Sequence, residues 1–287
     1  MKILDILRSG AVTVSCELFP PKQGAELEKA KTLVEEIAAL SPSFISVTYG
    51  AGGRSGGHTI ELAKQAQNAG VPALAHVTCV GAQRSDVLTT LDNLRAQGIE
   101  NILALRGDMP SDGEISADGY YRHASELMAE IRDYGGFCVG GACYPEGHPE
   151  SQTLWEDIDH LKEKVDSGCS FLTTQMFFDN TILYNYMFRL MKSGITVPVV
   201  AGIMPVTNGK QIARICKLSG TALPPRFRAI VDKFGADPAA MNQAGLAYAT
   251  EQIIDLIANG VRNIHIYTMN KPYIAGGIMH NLSEIIK

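Results

Sequence analysis

Short apolar runs and longer amphipathic runs alternate along the chain. The apolar runs have the length of strands and are rich in Val, Ile and Leu, whereas the segments between them repeat apolar residues every three or four positions, as in a helix. One helical stripe after the first apolar run holds Leu27, Ala30, Leu33, Val34 and Ile37. The pattern predicts strands at residues 12–19, 44–50, 73–80, 101–108, 137–145, 171–178, 197–205 and 263–270.

This order of strands and helices predicts an α/β fold, a (β/α)8 TIM barrel formed by residues 1–287 as a single catalytic domain. Most strand-to-strand intervals match a βα unit of about 30 residues. The last interval is longer, and "LPPRFRAIVDKFGADPAAM" within it predicts extra helices between strands 7 and 8. Alternation alone also fits an open doubly wound sheet, but the polar residues at the strand ends favour the barrel, because all those ends converge only when the sheet closes.

Single residues mark the ends of two predicted helices. Gly98 is suited to end the helix that precedes the fourth strand. Ser151 is a suitable N-cap, and Gly168 a suitable stop, for the helix after the fifth strand.

The segment "TYGAGGRSGGH", at residues 48–58, resembles a phosphate-binding glycine loop but fails the test for a dinucleotide fingerprint. The third glycine of G-x-G-x-x-G is replaced by Ser55, and the next strand ends in "AHVTCV" without an acid to bind a ribose. We interpret it as a barrel loop whose backbone approaches a ligand, with a flexible connector as the alternative.

The composition is that of an ordinary globular protein, with 46% hydrophobic and 19% charged residues. The net charge of -5 and the lack of a Lys/Arg cluster argue against nucleic-acid and anionic-membrane partners. Apolar runs are shorter than the roughly 20 residues that span a bilayer, and no secretory signal pattern is present, so we expect a cytoplasmic protein. The 6 cysteines form no C-x-x-C pair, and we expect reduced thiols.

Several polar residues at strand ends carry candidate chemistry. Glu17, in "CELFPPK", precedes two prolines that fix the exit of the chain, and poor solvation beside Leu18 and Phe19 suits a general acid. A salt-bridged structural carboxylate is the alternative. Arg106 could bind phosphate or pair with Asp108.

A metal-dependent barrel hydrolase is a second enzyme class to consider. His76, His265 and the loop "YPEGHPE" at 144–150 supply ligand types. The first strand does not end in H-x-H, however, and the spacing fits a metal site poorly, so we expect no metal.

Taken in order, "CELFPPK", "SVTYGAGG", "AHVTC", "ALRGD", "YPEGHPE", "TQMFFD", "AGIMPVTNGKQ" and "YTMN" resemble the 5,10-methylenetetrahydrofolate reductase family, in its short bacterial form. The resemblance covers nearly the whole chain. It implies a barrel flavoprotein that carries non-covalent FAD. Such a protein takes hydride from NADH or NADPH and reduces methylenetetrahydrofolate to 5-methyltetrahydrofolate, a reaction of one-carbon metabolism and methionine biosynthesis.

The same resemblance assigns roles to single residues. It implies that Glu17 is the general acid and that Asp108 is a second catalytic carboxylate that contacts both folate and flavin. Besides Asp108, the implied cofactor-binding residues are Thr48, Tyr49, Ala51, His76, Arg106, Gly107, Ala124, Tyr144, His148, Asp157 and Lys164. The implied substrate-binding residues are Glu17, Asp108, Gln175, Gln211 and Lys271.

Five positions depart from the family pattern. His123 replaces a tyrosine, while His160 and Glu163 replace residues that are commonly Asn and Arg. Glu163 would bring a negative charge close to a diphosphate. Lys271 replaces an arginine and loses its bidentate fork. Ile215 replaces a bulky aromatic residue, which would loosen nicotinamide stacking.

The resemblance also implies partners. We expect a small-molecule substrate, a homo-oligomer and, as in some relatives, an electron-transfer partner protein or ferredoxin. The alternative function is a flavin-binding electron-transfer subunit without folate turnover.

Overall fold

The computed structural model describes residues 1–21, 26–49, 56–107 and 120–287. Within them, parallel strands form a closed barrel in which neighbours follow chain order. The strands are β1 Thr13–Leu18, β2 Ile45–Val47, β3 Ala73–Thr78, β4 Asn101–Leu105, β5 Cys138–Cys143, β6 Phe171–Thr174, β7 Val199–Ile203 and β8 Asn263–Tyr267. The helices are α1 Ile3–Leu7, α2 Leu27–Ala38, α3 Gly56–Asn68, α4 Arg84–Ala96, α5 Ala124–Tyr134, α6 Leu154–Asp166, α7 Asn180–Lys192, α8 Gly209–Ser219, α9 Pro225–Phe234, α10 Pro238–Ala258 and α11 Pro272–Asn281.

The pairing of β1 with β8 closes the barrel. Their parallel register runs from Thr13 opposite Asn263 to Glu17 opposite Tyr267. An open sheet would leave two strands with unpaired edges, so the predicted (β/α)8 barrel is confirmed and the open sheet is excluded. The predicted extra helices are also present, since α8, α9 and α10 all lie between β7 and β8.

Each predicted strand is found, but several end earlier than the apolar pattern suggests. The sixth pattern extends to residue 178, whereas β6 ends at Thr174. Met176 and Phe178 are nevertheless buried, because they pack against α8 and α9 after leaving the sheet. Burial therefore continues beyond the last ladder hydrogen bond, and an apolar run overestimates the length of the strand.

The amino-terminal end of the barrel is closed by apolar side chains. The short helix α1 places Ile3 and Leu7 against residues that fill the lower barrel. The buried members from the strands and their entry loops are Phe44, Leu74, Leu103, Cys138, Phe171 and Val200. This apolar floor excludes water from one end, so the polar interior side chains lie toward the carboxyl ends of the strands.

A second apolar cluster lies beside the exits of β6 and β7, beneath α8 and α9. Its buried members include Met176, Val206 and Phe227, and Ile215 packs against them partly buried. The loop after β7 crosses α10 closely, since a Cβ built on Gly245 would lie 1.8 Å from the Val206 carbonyl oxygen. A helix residue without a side chain is therefore required at this crossing.

The end of α6 agrees with the sequence pattern, but its start does not. The N-cap is Thr153, whose hydroxyl accepts a 3.1 Å hydrogen bond from the Glu156 N–H. Ser151 lies two residues before it, so the prediction of Ser151 as the cap is wrong. Threonine and serine are both good caps, and only the local backbone distinguishes them. Gly168 follows the helix with φ +114°, and Gly98 follows α4 with φ +70°, as predicted.

The cysteines of the sequence are free thiols, and all except Cys216 are buried. Burial raises the pKa of Cys16, Cys143 and Cys169 to about 12. These thiols are therefore unreactive in the folded chain.

Among the helices of the described residues, none is long and apolar enough to cross a bilayer.

We predict that Gly245→Ala lowers the free energy of unfolding by about 2 kcal/mol, because the added methyl group must displace the Val206 carbonyl. Gly276→Ala is the matched control. Gly276 also lies on a helix, but its added Cβ would meet Leu40 at an ordinary 3.5 Å, and better helix propensity should raise stability by up to about 1 kcal/mol. Urea unfolding measures both variants, and equal effects would contradict the close crossing.

Candidate active site

Glu17 lies near the carboxyl end of β1 and projects into the barrel. Its Oε2 atom is 3.8 Å from Nε2 of His76 on β3 and 3.6 Å from Nε2 of His265 on β8. A side chain can approach both strands only from inside the barrel. The Glu17 side chain is 12% exposed, so one acid is enclosed between two buried imidazoles at the end of the barrel where TIM-barrel enzymes carry their active sites.

A serine hydroxyl fixes each of these histidines. Ser46 Oγ lies 2.6 Å from His76 Nε2, and Ser15 Oγ lies 2.8 Å from His265 Nδ1. Ser15 also donates a 3.0 Å hydrogen bond to the Ile264 carbonyl. Because a hydroxyl has a single proton, this bond makes His265 Nδ1 the donor to Ser15. In the neutral imidazole, Nε2 of His265 is then an acceptor that faces Glu17.

His76 is a neutral imidazole at neutral pH. Burial lowers its pKa from 6.5 to about 4, against an opposing effect of the Glu17 charge. His76 therefore adds no positive charge beside Glu17, and the Glu17 carboxyl group faces the dipole of this neutral imidazole.

The loop after β8 fixes the exit of β1. The Thr268 hydroxyl donates a 2.5 Å hydrogen bond to the Glu17 carbonyl, while the Asn270 side chain accepts from the Phe19 N–H at 2.8 Å and donates to its carbonyl at 3.0 Å. Met269 and Asn270 adopt positive φ angles of 53° and 56°, a conformation that is unfavourable for Met but tolerated by Asn. The strained turn aims the amide of Asn270 at the backbone that carries the acid.

Tyr267 crosses the upper barrel beside Glu17. Its hydroxyl donates a 2.6 Å hydrogen bond to the Thr174 carbonyl on β6. Tyr267 reaches Thr174 across β7, where Gly202 has no side chain to block it. A Cβ on Gly202 would lie 2.6 Å from the Tyr267 hydroxyl. Burial, followed by the charge of Glu17, raises the pKa of Tyr267 well above 10, so the phenol keeps its proton.

A cavity of about 730 Å³ opens at the same, carboxyl end of the barrel, at the exits of β4, β5 and β6 and along α5 and α6. Its size is in the range of small-molecule and cofactor sites. The predicted residues that line it are Arg106, Gly107, Ala124, Tyr144, His148, Asp157, Lys164 and Gln175. The structure thus brings eight of the proposed cofactor and substrate residues to one site.

The wall of the cavity carries charges of both signs. Lys164 donates a 3.1 Å hydrogen bond to the Ala142 carbonyl, and burial lowers its pKa. Burial also raises the pKa of Asp157 and lowers that of His148. The His148 ring packs edge-on against Tyr144, with 4.6 Å between ring centroids. Arg106 forms an ion pair with Glu150; Asp108, the other partner considered for it, lies outside the described residues.

Other predicted residues lie outside this cavity. The Thr48 carbonyl accepts from the Thr59 hydroxyl at 2.9 Å, and burial raises the pKa of the neighbouring Tyr49. Gln211 is exposed in the first turn of α8. Lys271 donates a 3.0 Å hydrogen bond to Thr207. Two further predictions, Asp108 and Ala51, fall outside the described residues, and their roles stay predictions.

The sequence predicts Glu17 as a candidate acid, but it does not show which side chains surround it. No motif in the sequence assigns a role to Ser15 or Ser46, and the sequence pattern indicates His265 only as a possible metal ligand. Alternation places Ser15 and Glu17 on one face of β1, which was a usable signal. The pairing of Ser15 with His265 depends on the β1–β8 register and could not be read from spacing.

The described residues contain no group of three or more His, Cys, Asp or Glu side chains arranged to hold a metal ion.

Fold and site together define a TIM-barrel protein with a largely buried acid and a cavity at the carboxyl end of the barrel. The family model "Methylenetetrahydrofolate reductase" matches residues 2–283. A "Methylenetetrahydrofolate reductase (NADH) 1" of Zea mays is 34% identical over 300 residues, which cover 99% of this chain and 50% of the relative. A "5,10-methylenetetrahydrofolate reductase" of Pectobacterium carotovorum subsp. carotovorum is 32% identical over 274 residues, with 95% and 91% covered.

A solved structure shares the fold. It is described as an uncharacterized protein from Clostridium thermocellum that binds two copies of 5-methyl-5,6,7,8-tetrahydrofolic acid, and it aligns with a TM-score of 0.61 at 13% identity over 99% of both chains.

The chain belongs to the methylenetetrahydrofolate reductase family. This membership rests on the family model, which spans almost all of its residues, and on the bacterial relatives. The chain spans about half the length of the plant relatives that it matches.

We predict that stability falls as pH decreases from 6.5 to 4, because unfolding lets His76 take up a proton that the folded site excludes. A folded pKa of about 4 gives a slope near 1 kcal/mol per pH unit around pH 5 from this group. His76→Asn should reduce the slope by about that amount, whereas His280→Asn, at an exposed histidine, should leave it unchanged. Urea unfolding at several pH values measures the slopes; equal slopes in both variants would contradict a buried neutral His76.

Proposed function

We propose that the chain catalyses flavin-dependent reduction of 5,10-methylenetetrahydrofolate to 5-methyltetrahydrofolate. The observation that carries the proposal is the position of Glu17, a largely buried acid near the carboxyl end of β1, at the same end of the barrel as a cavity lined by Arg106 and Lys164. Membership of the family supports the same reaction.

The residues of the cavity fit FAD. Arg106 and Lys164 can bind phosphate oxygens. The chain turns at Gly107 with φ +91°, where a Cβ would lie 3.0 Å from Thr78 and Val80, so only glycine fits this turn in the cavity wall. His148, Tyr144 and Ala124 would line the remaining wall. When bound, FAD supplies hydride transfer between the nicotinamide and the folate.

Glu17 is the proposed proton donor to the folate. Its protonated form would donate to a nitrogen of the five-membered ring and so open that ring to an iminium ion. Nε2 of His265 is an acceptor in the tautomer fixed by Ser15 and lies 3.6 Å from Glu17 Oε2, so it could orient the proton of the acid toward the reacting nitrogen.

Substrate recognition is proposed to involve Gln175, Gln211 and Lys271, with Asp108 as a second carboxylate. The Gln175 side-chain oxygen accepts a 3.0 Å hydrogen bond from the Met176 N–H, which orients the amide NH2 to donate to a ligand. Lys271 would pair with a carboxylate of the folate tail, as a point charge rather than a fork.

We propose NADH or NADPH as the electron donor, with ferredoxin or a partner protein as the alternative source. Ile215, which packs in the apolar cluster beneath α8, replaces an aromatic residue and would bind a nicotinamide more loosely. Stopped-flow reduction by each donor distinguishes them. We further propose a homo-oligomer that works in the cytoplasm.

We predict that the purified protein, after reconstitution with FAD, shows flavin absorbance and quenches flavin fluorescence. Lys164→Met should weaken FAD binding about tenfold or more, because it removes a charge-assisted hydrogen bond from a partly buried wall. Lys162→Met, on the exposed side of the same helix, should leave the dissociation constant unchanged. Absence of binding by the unaltered protein would refute the flavoprotein proposal.

We predict that Glu17→Gln separates the two half-reactions. Flavin reduction by the nicotinamide should proceed at nearly the normal rate, while reoxidation by methylenetetrahydrofolate should slow by about a hundredfold or more, because an amide cannot supply the proton. Stopped-flow absorbance measures both steps in one preparation, so the first step is the control for the second. Normal reoxidation in the variant would remove Glu17 from the acid role.

The alternative function, an electron-transfer subunit without folate turnover, makes a different prediction. In that case the flavin of the unaltered protein would be reduced normally, and methylenetetrahydrofolate would not reoxidise it.

A further inference from the structure

The loop after β5 brings a carboxylate onto the main cation of the cavity. The two terminal nitrogens of Arg106 each lie 2.6 Å from one oxygen of Glu150. Hydrogen bonding to Arg106 holds the pKa of Glu150 below its usual value, so the carboxylate is charged. These parallel bonds occupy the fork that a guanidinium would present to two phosphate oxygens.

The two partners differ in how easily they can move. The Arg106 side chain is 24% exposed and forms part of the cavity wall, whereas the Glu150 side chain is 58% exposed. The Glu150 N–H donates to His148 Nδ1 at 3.2 Å, and the next N–H, of Ser151, donates to the His148 carbonyl at 3.0 Å. The loop backbone is thus anchored, while the carboxylate can leave the guanidinium by rotating into solvent.

Rotation of Glu150 into solvent would change the charge that the cavity presents to a ligand. Its described lining contains two cations, Arg106 and Lys164, and three carboxylates, Glu150, Asp157 and Glu163. With Arg106 paired to Glu150, the wall offers a diphosphate little net attraction. Turning Glu150 outward exposes the guanidinium and also removes a negative charge from the binding region.

We propose that Glu150 competes with the diphosphate of a dinucleotide for the guanidinium of Arg106, so that the cofactor binds by turning this carboxylate out of the cavity. The inference rests on the proposed flavin function. Glu150 thereby sets the affinity for the cofactor, because its two oxygens lie on the Arg106 fork where two phosphate oxygens would bind.

The test is titration of the flavin-free protein with FAD and with riboflavin, which has no phosphate, followed by flavin fluorescence. We expect Glu150→Gln to lower the dissociation constant for FAD about five- to tenfold, because an amide is a weaker competitor for Arg106. Riboflavin should bind both proteins equally. Glu150→Ala should give the same gain for FAD, and thermal unfolding verifies that both variants are folded.

Two control variants distinguish loss of the Arg106–Glu150 ion pair from loss of a negative charge elsewhere. Glu251→Gln removes the carboxylate of a remote exposed ion pair with Arg226 and should change nothing. Glu163→Gln removes a carboxylate from the same cavity without touching the Arg106–Glu150 pair, and should give at most about a twofold gain, as expected for a screened charge.

Three results would overturn the inference. They are unchanged or weaker FAD binding by Glu150→Gln, an equal gain with riboflavin, and an equal gain from Glu163→Gln. Failure of the unaltered protein to bind FAD is a separate result, since it refutes the flavoprotein proposal on which the inference depends.

Discussion

The hydrogen-bonded pairing of β1 with β8 is the interaction on which the candidate site depends. It joins Ser15 to His265 across 250 residues of sequence and places Glu17 opposite Tyr267. The loop after β8 then fixes the exit of β1 through Asn270. Without this closure, Glu17 would lie on an edge strand in contact with water, and its enclosure between His76 and His265 would be lost.

One end of the barrel interior is filled by apolar side chains, and the other end holds the polar residues of the candidate site. Apolar side chains and α1 fill the amino-terminal end, which supplies burial free energy and excludes water. The polar residues Ser15, Ser46, Glu17, His76 and His265 lie above this floor, where each unsatisfied group would be costly. The serine–histidine hydrogen bonds meet that requirement and also leave one imidazole nitrogen directed at Glu17.

The sequence predicts the elements of this fold well because strand and helix periodicities are local properties. It also predicts Glu17 and the eight residues that line the cavity, because their motifs resemble those of a known family, and the roles of these residues stay predictions. It does not predict relations between distant segments. The partnership of Ser15 with His265 requires the barrel register, and that of Arg106 with Glu150 requires the conformation of a loop. The short α1 has too few residues to show a helical period. Either Ser151 or Thr153 could cap α6, and only the backbone conformation decides between them.

The reactivity of the buried thiols can report when the folded chain opens. Cys16, Cys138 and Cys143 lie on strands of the barrel, while the less buried Cys216 lies on α8. A thiol-reactive reagent can modify the barrel cysteines only in molecules that have opened. The order of labelling along the chain therefore reports whether α8 detaches from an intact barrel or whether the whole domain opens as one cooperative unit.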